Sequence, residues 1–411
     1  RRLRYRSVCL RKDMKIKLVI YLLCMLFCMN LCACGKEEKE RKLVLPSEEN
    51  WIERTTFDKT SEVAWLKPVW YSREIYDESV VFIGEDASAQ LLFEPQGSVI
   101  VRNYFLDKTY TDGVDYVVEG KTIKRLSGGE MPFWKVDDYF RLQPNDSTVI
   151  GVNSAETEYE FTDSRYLYYG EGTEMTSRQV AVSYRTNELY DGFMPKGCYD
   201  KTENVLKNIK EKKSGTILFY GDSITVGCNA SGTIYGGNVN PYLPSWAQLV
   251  ANKISSFCNA DINVINEAVG GWSSKDGFVS FDKTAGKYSA NANIFVIAFG
   301  MNDGKTDPDV YKGLIEEMAN KYLQKNPDGL VVLVSPMSPN TQSLWVGNQT
   351  LFETSLKQIA EERENIIVAE VGGVFRSFEE RGKRTRDYLA NNINHPNDFG
   401  VRVYAQVVLK S

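Results

Sequence analysis

The chain has 411 residues, a length that suits two folded domains with additional segments. Its net charge of −5, with 43% hydrophobic and 25% charged residues, is ordinary for a soluble globular protein and argues against a nucleic-acid partner. With one histidine and no Cys-x-x-Cys pair, the sequence offers no zinc site, and no cofactor is expected.

The N-terminus has the pattern of a targeting segment. A short basic region at 14–17 precedes an apolar run at 18–29, which is too short for a typical membrane span. The run ends at Leu31-Cys-Ala-Cys34 and gives way to charged residues. This segment resembles a bacterial lipoprotein signal, and the resemblance implies that Cys34 is the lipidated first residue of the mature protein. An ordinary secretory signal and an uncleaved anchor are the alternatives.

Residues 1–34 are therefore interpreted as upstream residues followed by a signal peptide. The charged residues 35–50 lack periodicity and are interpreted as a tether. Together these segments predict an extracytoplasmic protein that is lipid-anchored to a bacterial cell membrane or outer membrane.

Residues 51–199 have the pattern of an all-β domain. Short period-two runs, such as 98–104 and 179–184, are separated by turn residues, and no helical stretch interrupts them. This pattern predicts a β-sandwich or jelly roll. The polar residues 200–213 place apolar side chains at helical spacing and predict a linker helix.

From residue 214 to 411 apolar strands alternate with amphipathic helices. The predicted strands are 217–220, 262–265, 294–298, 330–334 and 366–369, and the predicted helices lie near 245–258, 308–324, 351–363 and 398–409. Such alternation predicts an α/β domain with a parallel sheet covered on both faces. Functional residues are expected at the carboxyl ends of its strands.

Four short blocks occupy the places where such residues are expected. Three of them, residues 221–223, 266–271 and 300–303, each follow a predicted strand, and the fourth, 395–396, precedes the last helix. Ser223 lies at a strand-to-helix turn, where its hydroxyl can face a cleft. A serine nucleophile needs a base, and His395 is the only histidine in the chain.

In this order the blocks resemble those of the SGNH hydrolases, also called the GDSL family, over residues 214–411. The resemblance implies a flavodoxin-like hydrolase domain in which Ser223 is the nucleophile and His395 the base. It also implies an oxyanion hole formed by the Ser223 N–H, the Gly271 N–H and the Asn302 side-chain amide. Preorganised donors of this kind stabilise the negative oxygen that develops on an attacked ester.

The chain departs from the family at the acid. Where the family has an aspartate three residues before the histidine, this sequence has Asn392. A Ser–His dyad could operate, with His395 oriented by Asn392 or by a backbone carbonyl. Another acid could come from elsewhere, or the enzyme could be weak or inactive. The dyad is preferred because the serine, glycine, asparagine and histidine positions are all intact.

The substrate is inferred from the same resemblance. A β-sandwich before the hydrolase domain and a dyad are features of carbohydrate esterase family two. Trp272 directly follows the oxyanion glycine and is a candidate to stack on a sugar. The sequence shows no long apolar lid segment, which argues against a lipase acting on long acyl chains. The sequence thus predicts an esterase that removes acetyl groups from polysaccharides or oligosaccharides. A lysophospholipase or thioesterase-like enzyme and an inactive carbohydrate-binding lipoprotein are the alternatives.

Overall fold

A computed structural model describes residues 54–58, 65–145, 150–361 and 363–411 of the chain. The signal segment, Cys34 and the tether lie outside these ranges, so lipidation stays a prediction. Among the described residues, no helix combines the length and the apolar character that crossing a membrane requires. The described residues form one compact unit.

The first part of this unit is built from antiparallel strands, which confirms the expected β region. Its strands are β1 (Glu74–Val81), β2 (Ser88–Gln90), β3 (Pro95–Asn103), β4 (Thr109–Tyr110), β5 (Tyr116–Glu119), β6 (Thr122–Arg125), β7 (Phe140–Arg141), β8 (Tyr166–Leu167) and β9 (Gln179–Thr186), and a short helix, α1, spans Val136–Tyr139. The sheet orders are β1-β9-β3-β4, β2-β6-β5 and β7-β8. We call residues 65–186 the β region.

The second part contains five strands and eight helices among the described residues. The strands are β10 (Ser214–Gly221), β11 (Asp261–Asn266), β12 (Ile294–Ala298), β13 (Leu330–Val334) and β14 (Ile366–Ala369). The helices are α2 (Tyr199–Lys212), α3 (Ser223–Val226), α4 (Trp246–Cys258), α5 (Ser274–Ser280), α6 (Pro308–Lys325), α7 (Phe352–Ala360), α8 (Val371–Glu380) and α9 (Asp398–Lys410).

The five strands pair in parallel in the order β11-β10-β12-β13-β14. Counted within this sheet, the order is 2-1-3-4-5, which is the doubly wound order of flavodoxin-like folds. The predicted α/β fold class is therefore confirmed. Because the order reverses between β10 and β12, a crevice opens at the carboxyl ends of these two strands.

Both faces of this sheet are covered. Along β10, Ile217 and Phe219 pack into one hydrophobic core, whereas Leu218 and Tyr220 pack into the other. Successive side chains of a strand point to opposite faces, so a strand buried on both sides becomes a continuous apolar run. The first of these cores also contains Val182 of β9, so the β region and the α/β part share a core.

A buried polar junction joins the β region to the segment that precedes α9. The Lys383 ammonium lies 2.9 Å from a carboxylate oxygen of Glu78 and 3.6 Å from one of Asp387. It also donates to the Ser79 carbonyl over 2.7 Å. Asp387 in turn accepts the N–H of Val81 over 2.9 Å. These contacts cover the C-terminal half of β1, which is buried although it belongs to an edge strand of its sheet.

Replacing Lys383 by methionine should lower the free energy of unfolding by about 3–5 kcal/mol, because it leaves buried carboxylates without their counter-ion. Chemical denaturation measures the effect. The matched control is Lys207→Met, which removes an exposed ion pair with Glu211 on α2 and should cost less than about 1 kcal/mol. Equal losses in the two variants would show that the junction does not carry this energy.

Candidate active site

Ser223 stands where β10 turns into α3. The strand ends at Gly221, and a side chain there would place its Cβ 2.4 Å from the Ala298 carbonyl oxygen, so the close approach of β10 to β12 requires glycine. Asp222 caps the helix by accepting the Ile224 N–H over 3.0 Å. As the first residue of α3, Ser223 has an N–H without an intrahelical acceptor.

His395 lies directly beside this serine. Its Nε2 is 2.8 Å from the Ser223 Oγ, and only 7% of the histidine is exposed. The turn that holds it is organised by Asn391, whose side-chain oxygen accepts the N–H groups of Ile393, Asn394 and His395 over 3.0 Å each. The structure therefore brings the predicted nucleophile and the predicted base within hydrogen-bonding distance.

The other ring nitrogen of His395 faces two oxygen atoms. Nδ1 lies 2.6 Å from the Oδ1 of the buried Asn229 and 3.4 Å from a carboxylate oxygen of Glu171. Both oxygens accept hydrogen bonds, so they favour the tautomer that carries its proton on Nδ1. In that tautomer Nε2 is free to accept the serine proton.

Glu171 reaches the site from the loop between β8 and β9. One of its carboxylate oxygens accepts the Tyr169 hydroxyl over 3.0 Å and the Asn391 side-chain amide over 3.2 Å. Burial by itself would raise the pKa of Glu171, but the hydrogen bond and positive charge of His395, together with Asn391 and Tyr169, lower it to about 2. The carboxylate therefore stays ionised over the range in which histidine titrates.

Among the described residues, the oxygens at His395 Nδ1 come from Asn229 and Glu171 and not from Asn392, which corrects the expected orienting role of Asn392. Its backbone lies in the left-handed region, with a φ of 70°. Its side-chain oxygen instead accepts the Tyr139 hydroxyl over 2.8 Å and the Asn340 amide over 3.1 Å. Its side-chain nitrogen donates to the Tyr168 carbonyl over 2.9 Å. Every polar atom of the amide is thus engaged with partners other than the histidine.

Gly271 and Asn302, the predicted oxyanion donors besides the Ser223 N–H, both have a donor hydrogen to spare within the described part of the chain. A Cβ built on Gly270 would lie 3.8 Å from the Ser223 Cβ, so the residue before Gly271 packs next to the serine. Gly271 adopts a φ of 81°, and no acceptor for its N–H is found among the described residues. Asn302 donates one amide hydrogen to the Trp272 carbonyl over 3.0 Å, which leaves its second hydrogen available.

Buried carboxylates hold the loops that carry these donors. Asp303 accepts the Ser274 N–H over 3.0 Å and the Ser274 hydroxyl over 2.6 Å, which fixes the glycine loop against the Asn302 turn. Burial raises the pKa of Asp222 to about 7, although the Ile224 N–H and the charge of His395 act in the opposite direction.

Trp272 packs against the protein with part of its surface. It meets Tyr220 edge-to-face with 6.3 Å between ring centroids, and it is half-buried beside the second core. Its predicted contact with a sugar stays a prediction.

Sequence reasoning did not identify Asn229, Glu171 or Asn391. Asn229 and Asn391 are close in sequence to the first and fourth blocks, but asparagine is common in turns and carries no specific signal there. Glu171 lies 220 positions before Asn391, in a glycine-flanked turn of the β region. Nothing local links such a glutamate to a histidine at the other end of the chain.

Comparison with known proteins places this site in a family domain. Residues 219–403 match the model of the GDSL-like Lipase/Acylhydrolase family. This match confirms the resemblance drawn from the four blocks, and the family is one of carboxylic ester hydrolases. No curated protein matches the chain.

Several solved structures match part of the chain. A two-domain esterase active on acetylated mannans, crystallised with mannopentaose, is 21% identical with a TM-score of 0.41, over 52% of this chain and 53% of that one. This chain thus spans about half the length of that esterase. An acetylxylan esterase from Geobacillus stearothermophilus is 19% identical with a TM-score of 0.38, over 47% of this chain and 92% of its own.

Asn302→Ala should lower kcat for a short-chain ester by about 100- to 1000-fold, because one preorganised oxyanion donor is lost. Steady-state kinetics on a short-chain nitrophenyl ester measure it. The control is Asn348→Ala, which removes another half-buried asparagine that donates to a backbone carbonyl, that of Thr306. If both variants keep wild-type kcat, Asn302 does not contribute to the oxyanion hole.

Proposed function

The chain carries a domain of the GDSL-like lipase/acylhydrolase family over residues 219–403, and from this we propose that the protein is a serine esterase that removes acetyl groups from carbohydrates. The observation that carries the proposal is the 2.8 Å approach of the His395 Nε2 to the Ser223 Oγ. Two acceptors at Nδ1 support it, because they fix the tautomer in which Nε2 is unprotonated.

The reaction follows from these contacts in two balanced halves. His395 Nε2 takes the hydroxyl proton as the Ser223 Oγ attacks the ester carbonyl, and the oxyanion meets the N–H groups of Ser223 and Gly271 and the Asn302 amide. The intermediate collapses to an acyl-enzyme, and the leaving alcohol receives the proton from the imidazolium. His395 then takes a proton from a water as the water oxygen attacks the acyl-enzyme, and the imidazolium returns that proton to the Ser223 Oγ as acetic acid leaves.

A small acyl group on a polar carrier fits the surroundings of Ser223. Polar side chains contact the His395 ring or hold its turn, namely Asn229, Glu171, Asn391 and Asn394. An apolar cavity of about 380 Å³ is present elsewhere, but it is lined by Ile217, Ile294 and Leu330, near the amino-terminal ends of the strands. A long acyl chain bound there would lie near the amino-terminal ends of the strands, whereas Ser223 lies at the carboxyl end of β10.

The proposed location rests on the leader. The apolar run followed by Cys34 and a charged segment supports export and attachment to a membrane through a lipid on Cys34. A surface-exposed esterase would meet acetylated polysaccharides or their oligosaccharides outside the cytoplasm.

Ser223→Ala should lower the hydrolysis of a nitrophenyl acetate by at least about 10⁴-fold, because the nucleophile is lost while the fold is kept. Release of acetate from acetylated xylan or mannan oligosaccharides, measured with both proteins, extends the test to the proposed substrate class. If wild type and variant are equally inert while both still bind polysaccharide, the protein is a carbohydrate-binding lipoprotein without esterase activity.

A chain-length series should show kcat/KM falling as the acyl group grows from acetyl, since the apolar cavity of about 380 Å³ lies away from Ser223, near the amino-terminal ends of the strands. Nitrophenyl esters of increasing length provide the measurement. Activity that rises with acyl length would instead favour the lysophospholipase or thioesterase-like alternative.

A further inference from the structure

The position of one carboxylate points beyond the serine–histidine pair. We infer that Glu171, supplied by the β region, is the charge partner of His395 and takes the place of the aspartate that is absent at position 392. This inference rests on the proposed function, because it assigns a role within the same site. Glu171 contacts the base and not the substrate, so it acts as a positioning residue.

Hydrogen bonds fix the position of the Glu171 carboxylate beside His395. One oxygen lies 3.4 Å from His395 Nδ1, while the other accepts hydrogen bonds from Tyr169 and Asn391. Asn391 also organises the turn of His395 through the N–H of that residue. The same asparagine therefore fixes both the histidine and the carboxylate that faces it.

Asn392 holds the loop that carries Glu171. Its side-chain nitrogen donates to the carbonyl of Tyr168, three residues before the glutamate. An aspartate at this position could not donate that hydrogen bond, and its charge would lie against a carbonyl oxygen. Position 392 thus serves Glu171 through its amide, and this gives a physical reason for asparagine there.

Asn229 and Glu171 supply different things to the imidazole. The shorter contact, 2.6 Å to the Asn229 oxygen, directs the Nδ1 proton. An amide carries no charge, so Asn229 cannot stabilise the imidazolium that forms during attack, whereas an ionised carboxylate can. Glu171 is about half-exposed, so its charge is partly screened and its effect should be smaller than that of a buried triad acid.

Other titratable groups near the imidazole must be separated from this effect. They are Asp222, which lies behind Ser223, and Cys228, whose pKa burial and the nearby carboxylates Glu171 and Asp222 raise to about 12. Tyr169 donates its hydroxyl to Glu171. Asp222 is retained in a Glu171 variant, and Cys228, whose pKa the charge of Glu171 helps to raise, titrates far above the acid limb. A shift of that limb relative to the wild type therefore reports the loss of the glutamate charge.

The test compares Glu171→Gln with wild type across the pH range in which histidine titrates. Glutamine keeps the size and the acceptor oxygen but removes the charge. We expect kcat to fall about 10- to 100-fold, less than the roughly 10⁴-fold known for a buried triad acid. Because removing a nearby negative charge disfavours the protonated imidazole, the acid limb of kcat/KM should also move to lower pH. A merely structural role would leave that limb in place.

The matched control is Glu174→Gln, in the same loop. Glu174 is exposed and binds the Tyr168 hydroxyl and Arg178, so its variant should keep the wild-type acid limb. If the limb and kcat of Glu171→Gln also stay at wild-type values while Ser223 is required, the inference fails and the proposed function stands. If Ser223→Ala is as active as wild type, the proposed function itself fails.

A second variant tests whether Glu171, and not the residue at position 392, is the charge partner of His395. Asn392→Asp restores the family's residue, yet we expect lower kcat than in wild type because the hydrogen bond to Tyr168 is lost and the carboxylate does not face His395. Thermal unfolding confirms that the variant is folded during the assay. Higher activity than wild type would show that position 392 still serves the histidine directly. Glu171→Gln decides the inference whether or not Asn392→Asp folds.

Discussion

The site depends on one buried charge cluster, the ammonium of Lys383 between the carboxylates of Glu78 and Asp387. Burying a charge is costly unless it is paired, so these ion pairs favour the packing of β1 against the segment after α8. That segment continues into the turn of His395. The location of the base is therefore set partly by a strand of the β region, outside the parallel sheet on which Ser223 stands.

The sheet supplies the rest of the geometry. Its strand order opens a crevice at the carboxyl ends of β10 and β12, which carry Ser223 and the Asn302 turn. The β region then adds the loop of Glu171 to the side of the histidine that faces away from the serine. The β region and the α/β part thus both contribute residues that contact the imidazole ring of His395.

The parts of this arrangement that were predictable are those with local signals. Alternating apolar strands and helices, a serine at a strand end and a histidine before the last helix all follow from short stretches of sequence. Glu171 has no such signal, because its meeting with His395 depends on how the β region packs. The partners of Asn392 could not be foreseen for the same reason, since Tyr139, Tyr168 and Asn340 come from distant segments. Which groups the Asn392 amide contacts depends on tertiary packing, which short stretches of sequence do not reveal.

The engagement of Asn392 has a consequence for how related sequences are interpreted. An asparagine at this position, taken alone, suggests a degenerate catalytic motif. In this chain the Asn392 amide and Glu171 are physically linked through the Tyr168 backbone. A substitution at either position therefore changes what the other residue contributes to the site. Selection acting on such a pair would make the two positions covary. Sequences with an amide at position 392 would have an acid in the loop after β8. Sequences with an aspartate at position 392 would not need that acid, so the loop could diverge.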